Sequence, residues 1–299
     1  MFQHQVSKEK RTNVRMWIIQ KFNGILSRLA PQLAAKLAER IFVTPIPTRR
    51  PPREMAWAEG AEKTTIPSTL GPIPVWVWGD GPETVVLVHG WSGRGLQLAA
   101  FVEPLVSRGF RVVTYDAPGH GEAHGRTSSM PAFAATLGAV GRRFGPVSAV
   151  IAHSLGSTAA VYALAHRELA VNRVVAIAPS ARLHAVRERF GEMAGFPPSV
   201  IERMRVAFEE RFGFDWDASE PLQIAPTMPV PLMVIHDSKD RFIPLSEGAE
   251  LADAWPEGRL VTKKGLGHHR ILRDTTVIDS VLSFISESDE KNYMERKAS

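Results

Sequence analysis

From Val14 onward the apolar residues Ile18, Phe22, Ile25, Leu29, Leu33 and Leu37 recur three or four residues apart, while Lys21, Arg28, Lys36 and Arg40 fall off that stripe. That period predicts an amphipathic helix, and Pro31 predicts a break or restart, because proline is tolerated only in a helix's first turn. Two short helices are expected. The stretch from Pro45 to Arg53, rich in Pro and Arg, fits neither a helix nor a central strand and reads as a linker or surface strap. It sets a boundary near Pro51.

Beyond that boundary the pattern changes. Residues 73–78 predict an early strand in a hairpin, and Thr84–Val88, Val112–Tyr115, Val147–Ala152, Val174–Ile177 and Leu232–Ile235 are short runs rich in Val and Ile. Continuous β-branched runs suit strands covered on both faces, as in a parallel sheet flanked by helices, so the fold class is α/β. Residues 181–228 break the rhythm: they far exceed an ordinary βα connection and hold helical patterns at Ala185–Ala194 and Pro198–Phe212. An inserted helical cap is the simplest reading. The organisation expected is an amphipathic helical extension over 1–50, a core in two parts at 51–180 and 229–289, the cap at 181–228, and a polar tail at 290–299.

Composition narrows the chemistry. The 299 residues contain no cysteine, which excludes disulfides, thiolate metal ligands and a cysteine nucleophile. A formal charge of +5 raises the question of nucleic acid, but residues 1–60 carry 11 Lys and Arg against 4 Glu, and the remainder is slightly acidic. The body of the protein is not basic, and no nucleic-acid partner is expected. No run of 18 apolar residues occurs, and Met16–Ile19 is too short for a signal-peptide core, so a cytoplasmic location is expected. Trp17 and the apolar N-terminal stripe suit a membrane interface in outline. Packing on the rest of the chain or on a second subunit is favoured, because the stripe lacks a densely basic polar face.

The candidate chemistry lies at the ends of the predicted strands. Val147–Ala152 runs into His153-Ser154-Leu155-Gly156, and a helical pattern begins at once. A serine on such a strand-to-helix turn projects its hydroxyl from a strained backbone, and small neighbours are needed because other elements crowd the turn. After Leu232–Ile235 comes His236-Asp237-Ser238-Lys239-Asp240-Arg241-Phe242-Ile243-Pro244; after a last strand at Leu260–Thr262 comes Gly265-Leu266-Gly267-His268-His269. Serine attacks carbonyls only with a base in reach and a carboxylate to fix that base's tautomer. Val88-His89-Gly90-Trp91 ends another strand before a glycine-rich turn, and Asp116-Ala117-Pro118-Gly119-His120-Gly121 follows the next.

Taken together, in order and spacing across residues 70–285, these segments resemble the α/β-hydrolase family. Ala152-His153-Ser154-Leu155-Gly156 resembles its nucleophile elbow, with Ala152 in place of the usual first glycine. The resemblance implies Ser154 as nucleophile, Asp240 as the acid ahead of a hydrophobic-Pro pair, and His268, directly after the glycine, as general base. It implies an oxyanion hole from the backbone N–H groups of Trp91 and Leu155, and a mainly structural role for the Asp116 loop. Donors of this kind have been worth about 2.7–4 kcal/mol each when removed.

Simpler roles compete at several positions. Asp237 is the rival carboxylate and otherwise braces its loop; His89, His120 and His153 read as packing or loop-bracing groups. His268 and His269 lack a third ligand at recognisable metal spacing, and Gly90–Gly95 lacks the Lys-Ser/Thr of a phosphate loop. No metal or cofactor is expected. The implied activity is cleavage of a carboxylic ester or related acyl substrate through an acyl-enzyme, a small-molecule substrate being the expected partner. Acyl transfer to another acceptor, carbon–carbon bond hydrolysis and a non-catalytic binding protein are the alternatives. A cap of this size is expected to form a lid and much of the pocket. Its residues Phe190, Met193, Phe196, Met204, Phe208 and Phe212 either line that pocket or form the cap's own core.

Overall fold

The computed structural model describes the backbone of residues 2–298 and the side chains of Val14 and residues 16–287. In chain order the elements begin α1 (Phe2–Leu29), α2 (Pro31–Phe42), α3 (Pro52–Glu59), β1 (Glu62–Ile66), β2 (Ile73–Trp78), β3 (Thr84–Val88), α4 (Val102–Val106) and β4 (Arg111–Tyr115). There follow α5 (Met130–Phe144), β5 (Val147–His153), α6 (Leu155–Ala165), β6 (Arg173–Ile177), α7 (Leu183–Ala194), α8 (Pro198–Phe212) and α9 (Pro221–Ile224). The chain ends with β7 (Leu232–Asp237), α10 (Leu245–Ala254), β8 (Gly258–Lys263), α11 (Gly267–Arg270) and α12 (Thr275–Ala298).

These elements form two compact units. One comprises the segment up to Thr44 with Arg182–Glu220; the other comprises Pro45–Ala181 with the segment from Pro221 onward. The boundaries differ from those read in the sequence: the first falls at Pro45 rather than near Pro51, and residues 221–228 join the larger unit. The N-terminal helices and the inserted helices, read separately, share one unit.

The larger unit is built on an eight-stranded sheet in the order β1-β2-β4-β3-β5-β6-β7-β8. The β1–β2 and β2–β4 pairs are antiparallel, and every pairing from β4–β3 to β7–β8 is parallel. Every residue of β3, β5, β6 and β7 is buried, which is why their sequences are rich in Val, Ile, Leu and Ala along their length rather than alternating regularly with polar residues. One face, with Val86, Val88 and Val150, packs with Phe133, Leu137 and Ala159 of α5 and α6. The other, with Val85, Leu87 and Ile151, packs with Phe101, Leu105 and Phe284. Parallel pairing brings the segments following β3, β4, β5, β7 and β8 to one edge, where α/β sheets bind ligands.

Two expectations change in detail. The proline-rich strap is extended only to Pro51, where α3 begins with Pro52 in its first turn, a position at which the missing N–H costs nothing. Pro31 and Pro198 open α2 and α8 in the same way. The segment 290–299, read as a polar tail, continues α12 as far as Ala298.

In the smaller unit, the methyl groups of Ala34, Ala35 and Ala38 form one buried cluster with Val200, Ile201 and Met204 of α8 and Phe190 and Phe196. Phe42 adds edge contacts, its ring centroid 5.1 Å from Phe190 and 6.1 Å from Phe208. Of the six aromatic and Met residues weighed as pocket lining, Phe190, Phe196, Met204 and Phe208 are thus core of this unit, and Met193 is exposed.

Helix α1 corrects the reading of the apolar stripe. Its Asn23 Nδ2 donates to Ala194 O at 2.7 Å and its Gln20 Nε2 to Met193 O at 3.0 Å, satisfying carbonyls left open where α7 ends at the left-handed Gly195 (φ 76°). A Cβ on Gly195 would sit 2.5 Å from Gln20 Cα, so glycine serves both the turn and the approach of α1. With Asn23 and Ser27 buried, the stripe faces outward: Val14, Trp17, Ile18, Phe22, Ile25 and Leu29 are all more than half exposed. The expectation that the stripe packs on the rest of the chain is therefore not met, because helix-end carbonyls claimed the polar side of the helix; packing on a second subunit, the other form of that expectation, is not addressed by one chain.

This arrangement inverts the usual mutational pattern of an amphipathic helix. Asn23→Ala leaves Ala194 O without its donor and is expected to cost about 1–3 kcal/mol, whereas Phe22→Ala stays within about 0.5 kcal/mol. Thermal or denaturant unfolding of both variants is the check, and a larger loss for Phe22→Ala would reverse the assignment of faces.

Candidate active site

Strand β5 delivers Ser154 at the turn into α6. Ser154 has φ 53° and ψ −122°, and its N–H donates to Ile177 O of the neighbouring strand at 3.0 Å. A non-glycine residue in that region is strained and persists only where its surroundings fix it. The surroundings are tight: a Cβ on Gly156 would lie 2.5 Å from His89 O, and one on Gly90 would lie 2.9 Å from Ser154 Cβ. Ala152, at the usual glycine position, is buried without exposure.

The acid and histidine loops meet across the ends of β7 and β8. Asp240 Oδ2 accepts from His268 Nδ1 at 2.6 Å, and Asp240 Oδ1 accepts the N–H groups of Phe242 (2.8 Å) and Ile243 (3.1 Å). Burial opposes ionisation of Asp240, but the His268 hydrogen bond and these two N–H donors outweigh it and hold the carboxyl below its ordinary range. Asp237, the rival carboxylate, accepts the Lys239 and Leu266 N–H groups, each at 2.8 Å, and so ties its own loop to the one bearing His268. No hydrogen bond joins Asp237 to the imidazole among the described residues.

Two neighbours of this pair stand out: Phe242, which sequence reasoning passed over, and His153, which it read as a packing or loop-bracing group. Phe242, 63 % exposed, places its ring centroid 5.2 Å from that of His268. His153 Nε2 lies 2.9 Å from His268 O and its ring is 4.6 Å from that of His268, so the residue before Ser154 grips the backbone of the histidine. The only hint in the sequence was the position of His153 inside the elbow. A hydrogen bond from Ser154 Oγ to His268 is not among those the described residues form; such contacts often tighten only around a substrate.

Two N–H groups at the turns after β3 and β5 have no acceptor among the described residues. Leu155 is the first residue of α6, where helical N–H groups have no internal acceptor and the helix dipole is positive. The turn after β3 uses Ser92 N–H on His120 Nε2 (3.0 Å) and Gly93 N–H on Gly90 O (3.0 Å), leaving Trp91 N–H without an acceptor among the described residues.

Histidines and one carboxylate brace the remaining loops. His89 Nε2 accepts Ala117 N–H at 3.0 Å while Nδ1 donates to Gly90 O at 2.8 Å, and His120 Nδ1 donates to Pro118 O at 2.9 Å. Burial chiefly pushes His89 down to about 3 and His120 to about 4, so both are neutral struts near pH 7. Asp116 accepts Gly95 N–H at 2.8 Å and Glu122 N–H at 2.7 Å; burial, against those bonds, raises its carboxyl to about 6. A Cβ on Gly121 would stand 1.9 Å from Asp116 Oδ2. Buried Arg94 donates to both oxygens of Glu54 and to Thr48 Oγ1, which fastens the proline strap and α3 to the glycine-rich turn. Among the described residues no three His, Asp or Glu side chains are grouped as metal ligands.

The fold and these strand-end loops agree with a family match. Residues 85–279 match the alpha/beta hydrolase family, and the chain belongs to it. A putative lipase from Acinetobacter baumannii superposes with a TM-score of 0.62 at 16 % identity, covering 80 % of this chain and 95 % of its own. An esterase from Pyrococcus furiosus gives 0.62 at 17 % identity, covering 82 % and 99 %. A thioesterase domain from the curacin biosynthetic pathway gives 0.56 at 17 % identity, covering 75 % and 98 %. At these identities the likeness is one of fold. No curated protein sequence matches the chain significantly.

Two outcomes follow from the packing. Gly156→Ala must displace the β3 turn and is expected to cost about 1–3 kcal/mol, read as a lowered unfolding midpoint; an unchanged midpoint would contradict the crowding. For Asp116 the folded pKa lies above the unfolded one, so between the ordinary carboxylate range and about 6 the folded protein holds a proton that the unfolded chain has lost. Its contribution to stability therefore falls as pH rises through that window and is level above it. Asp116→Asn should flatten this part of the stability–pH curve relative to wild type, and an unchanged slope in that window would refute the assignment.

Proposed function

We propose that the protein is a serine hydrolase acting on carboxylic esters through an acyl-enzyme on Ser154. The observation that carries this reading is the 2.6 Å contact between His268 Nδ1 and an ionised Asp240, which leaves His268 Nε2 as the free basic nitrogen. His268 takes the Ser154 proton as Oγ attacks the carbonyl carbon. The C=O electron pair moves onto oxygen, where the Trp91 and Leu155 N–H groups receive it. Collapse expels the alcohol, which takes the proton from His268. Water then attacks the acyl-enzyme, giving its proton to the same histidine, and Ser154 leaves with that proton as the acid is released.

The ester class rests on family chemistry and on the names of fold neighbours, which include a lipase and an esterase; a thioesterase domain among them makes thioesters the nearest related substrate. Neither phosphate-loop glycines nor a cysteine competes for the role in this sequence.

The test is hydrolysis of p-nitrophenyl esters from acetate to palmitate, with stoichiometric fluorophosphonate labelling in parallel. Wild type is expected to turn over at least one ester and to label at Ser154, while Ser154→Ala loses activity by about 10⁴-fold or more. Asp240→Asn keeps the shape but loses the tautomer control and is expected to fall by about 10⁴-fold, with Asp237→Asn far less affected. A folded wild type that is inert to every ester and unlabelled by the probe would overturn the reading.

A further inference from the structure

The first unit presents a surface that its own fold does not explain. Along α1, Val14, Ile18, Phe22, Ile25 and Leu29 are 53–80 % exposed, and Leu33 continues the row onto α2 at 56 %. Trp17 borders it at 58 % exposure, with Lys21 Nζ 5.7 Å from the indole centroid. Soluble proteins scatter single apolar residues over their surfaces; a continuous row of this length marks something that covers it. The hydrogen bonds of Gln20 and Asn23 to the end of α7 fix which side of α1 faces inward, so rolling the helix to hide the row would leave the buried Ala194 carbonyl without its donor.

Charge decides what the cover is. Residues 2–42 carry eight Lys and Arg against two Glu, and exposed Lys21 and Arg28 lie beside the row. A second copy apposed row to row would bring two like-charged helix pairs together. An anionic lipid surface instead offers an apolar layer for Ile18, Phe22 and Ile25, headgroup phosphates for Lys21 and Arg28, and an interfacial level for Trp17. No helix of the described residues is long and apolar enough to cross a membrane, so the contact lies in the plane of the surface.

We propose that α1 and the start of α2 dock the protein on anionic phospholipid bilayers through this row. The assignment stands independently of the catalytic reading.

The test uses the full chain with vesicles of phosphatidylcholine mixed with phosphatidylglycerol, against pure phosphatidylcholine, in flotation assays at low and high salt. Wild type and Ser154→Ala are expected to float equally with the anionic vesicles and to lose most binding in high salt. Ile18→Glu/Ile25→Glu and, separately, Lys21→Glu/Arg28→Glu should each weaken binding at least about tenfold with an unchanged unfolding midpoint, because all four side chains are exposed. Brominated lipid should quench wild type more than Trp17→Phe. Equal flotation of wild type and both double variants would overturn the proposal. So would a wild type that ignores anionic vesicles, or one that light scattering shows to be a dimer separated by Ile18→Glu/Ile25→Glu, in which case a second copy is the cover.

Discussion

Between β5 and α6 the backbone has to reverse direction in a space walled by the carbonyls of Val88 and His89 on one side and the Gly90 turn on the other. A methyl group at position 156 would lie 2.5 Å from His89 O. Within those walls residue 154 takes φ 53° and ψ −122°, a conformation with no favourable local origin. Burial of β3, β5 and β6 on both faces supplies the rigidity that holds it there, since a sheet packed at crystal-like density cannot relax by small shifts. The loops on the same edge inherit their positions from this turn.

How they inherit them is a matter of hydrogen bonds between neutral groups. His89, His120 and His153 are each pushed down by burial, so near neutral pH they are uncharged and have one donor and one acceptor nitrogen. His89 and His120 spend both on backbone, His89 joining the β3 turn to Ala117 and His120 joining Pro118 to Ser92, whereas His153 holds His268 O through Nε2 alone and its buried Nδ1 has no partner among the described residues. A lysine or arginine in these places would bring a charge into a dry region with nothing to offset it. Asp237 does the same for the two loops that carry Asp240 and His268, through backbone N–H groups alone. Among the described residues the His268 imidazole is then the side chain hydrogen-bonded to Asp240, with His236 Nε2 3.7 Å from the same carboxylate oxygen.

The sequence made the parallel strands legible because burial on both faces imposes runs dominated by apolar residues that few other environments tolerate; Thr84–Val88 and Val147–Ala152 are examples. Ser154, Asp240 and His268 were readable because each sits just past such a strand in a motif whose glycines have steric reasons. That His89, His120 and His153 brace or pack was readable too, but the partners of the bracing groups were not. His153 Nε2 reaches a carbonyl 115 residues away, and Arg94 meets Glu54 40 residues earlier, contacts that no local period encodes. Helix α3 was hidden for a related reason: Pro51-Pro52 reads as a breaker, yet a proline in a first turn starts a helix as readily as it ends one.

Helix α1 shows a different limit of periodicity. A stripe repeated every three or four residues establishes that a helix has two faces, but not which face the protein takes. That choice went to the side able to close α7, where Asn23 and Gln20 offer amides to open carbonyls and where Gly195 lets the two backbones approach to within contact distance. Each buried hydrogen bond is worth about 0.5–1.5 kcal/mol net, but leaving such a carbonyl dry and unpaired costs about 1–3 kcal/mol. Turning α1 over would also bring the bulk of Phe22 and Ile25 against the place where Gly195 admits no more than Gln20 Cα. Sterics and carbonyl satisfaction therefore agree on the inward face, and the apolar row is what remains outside.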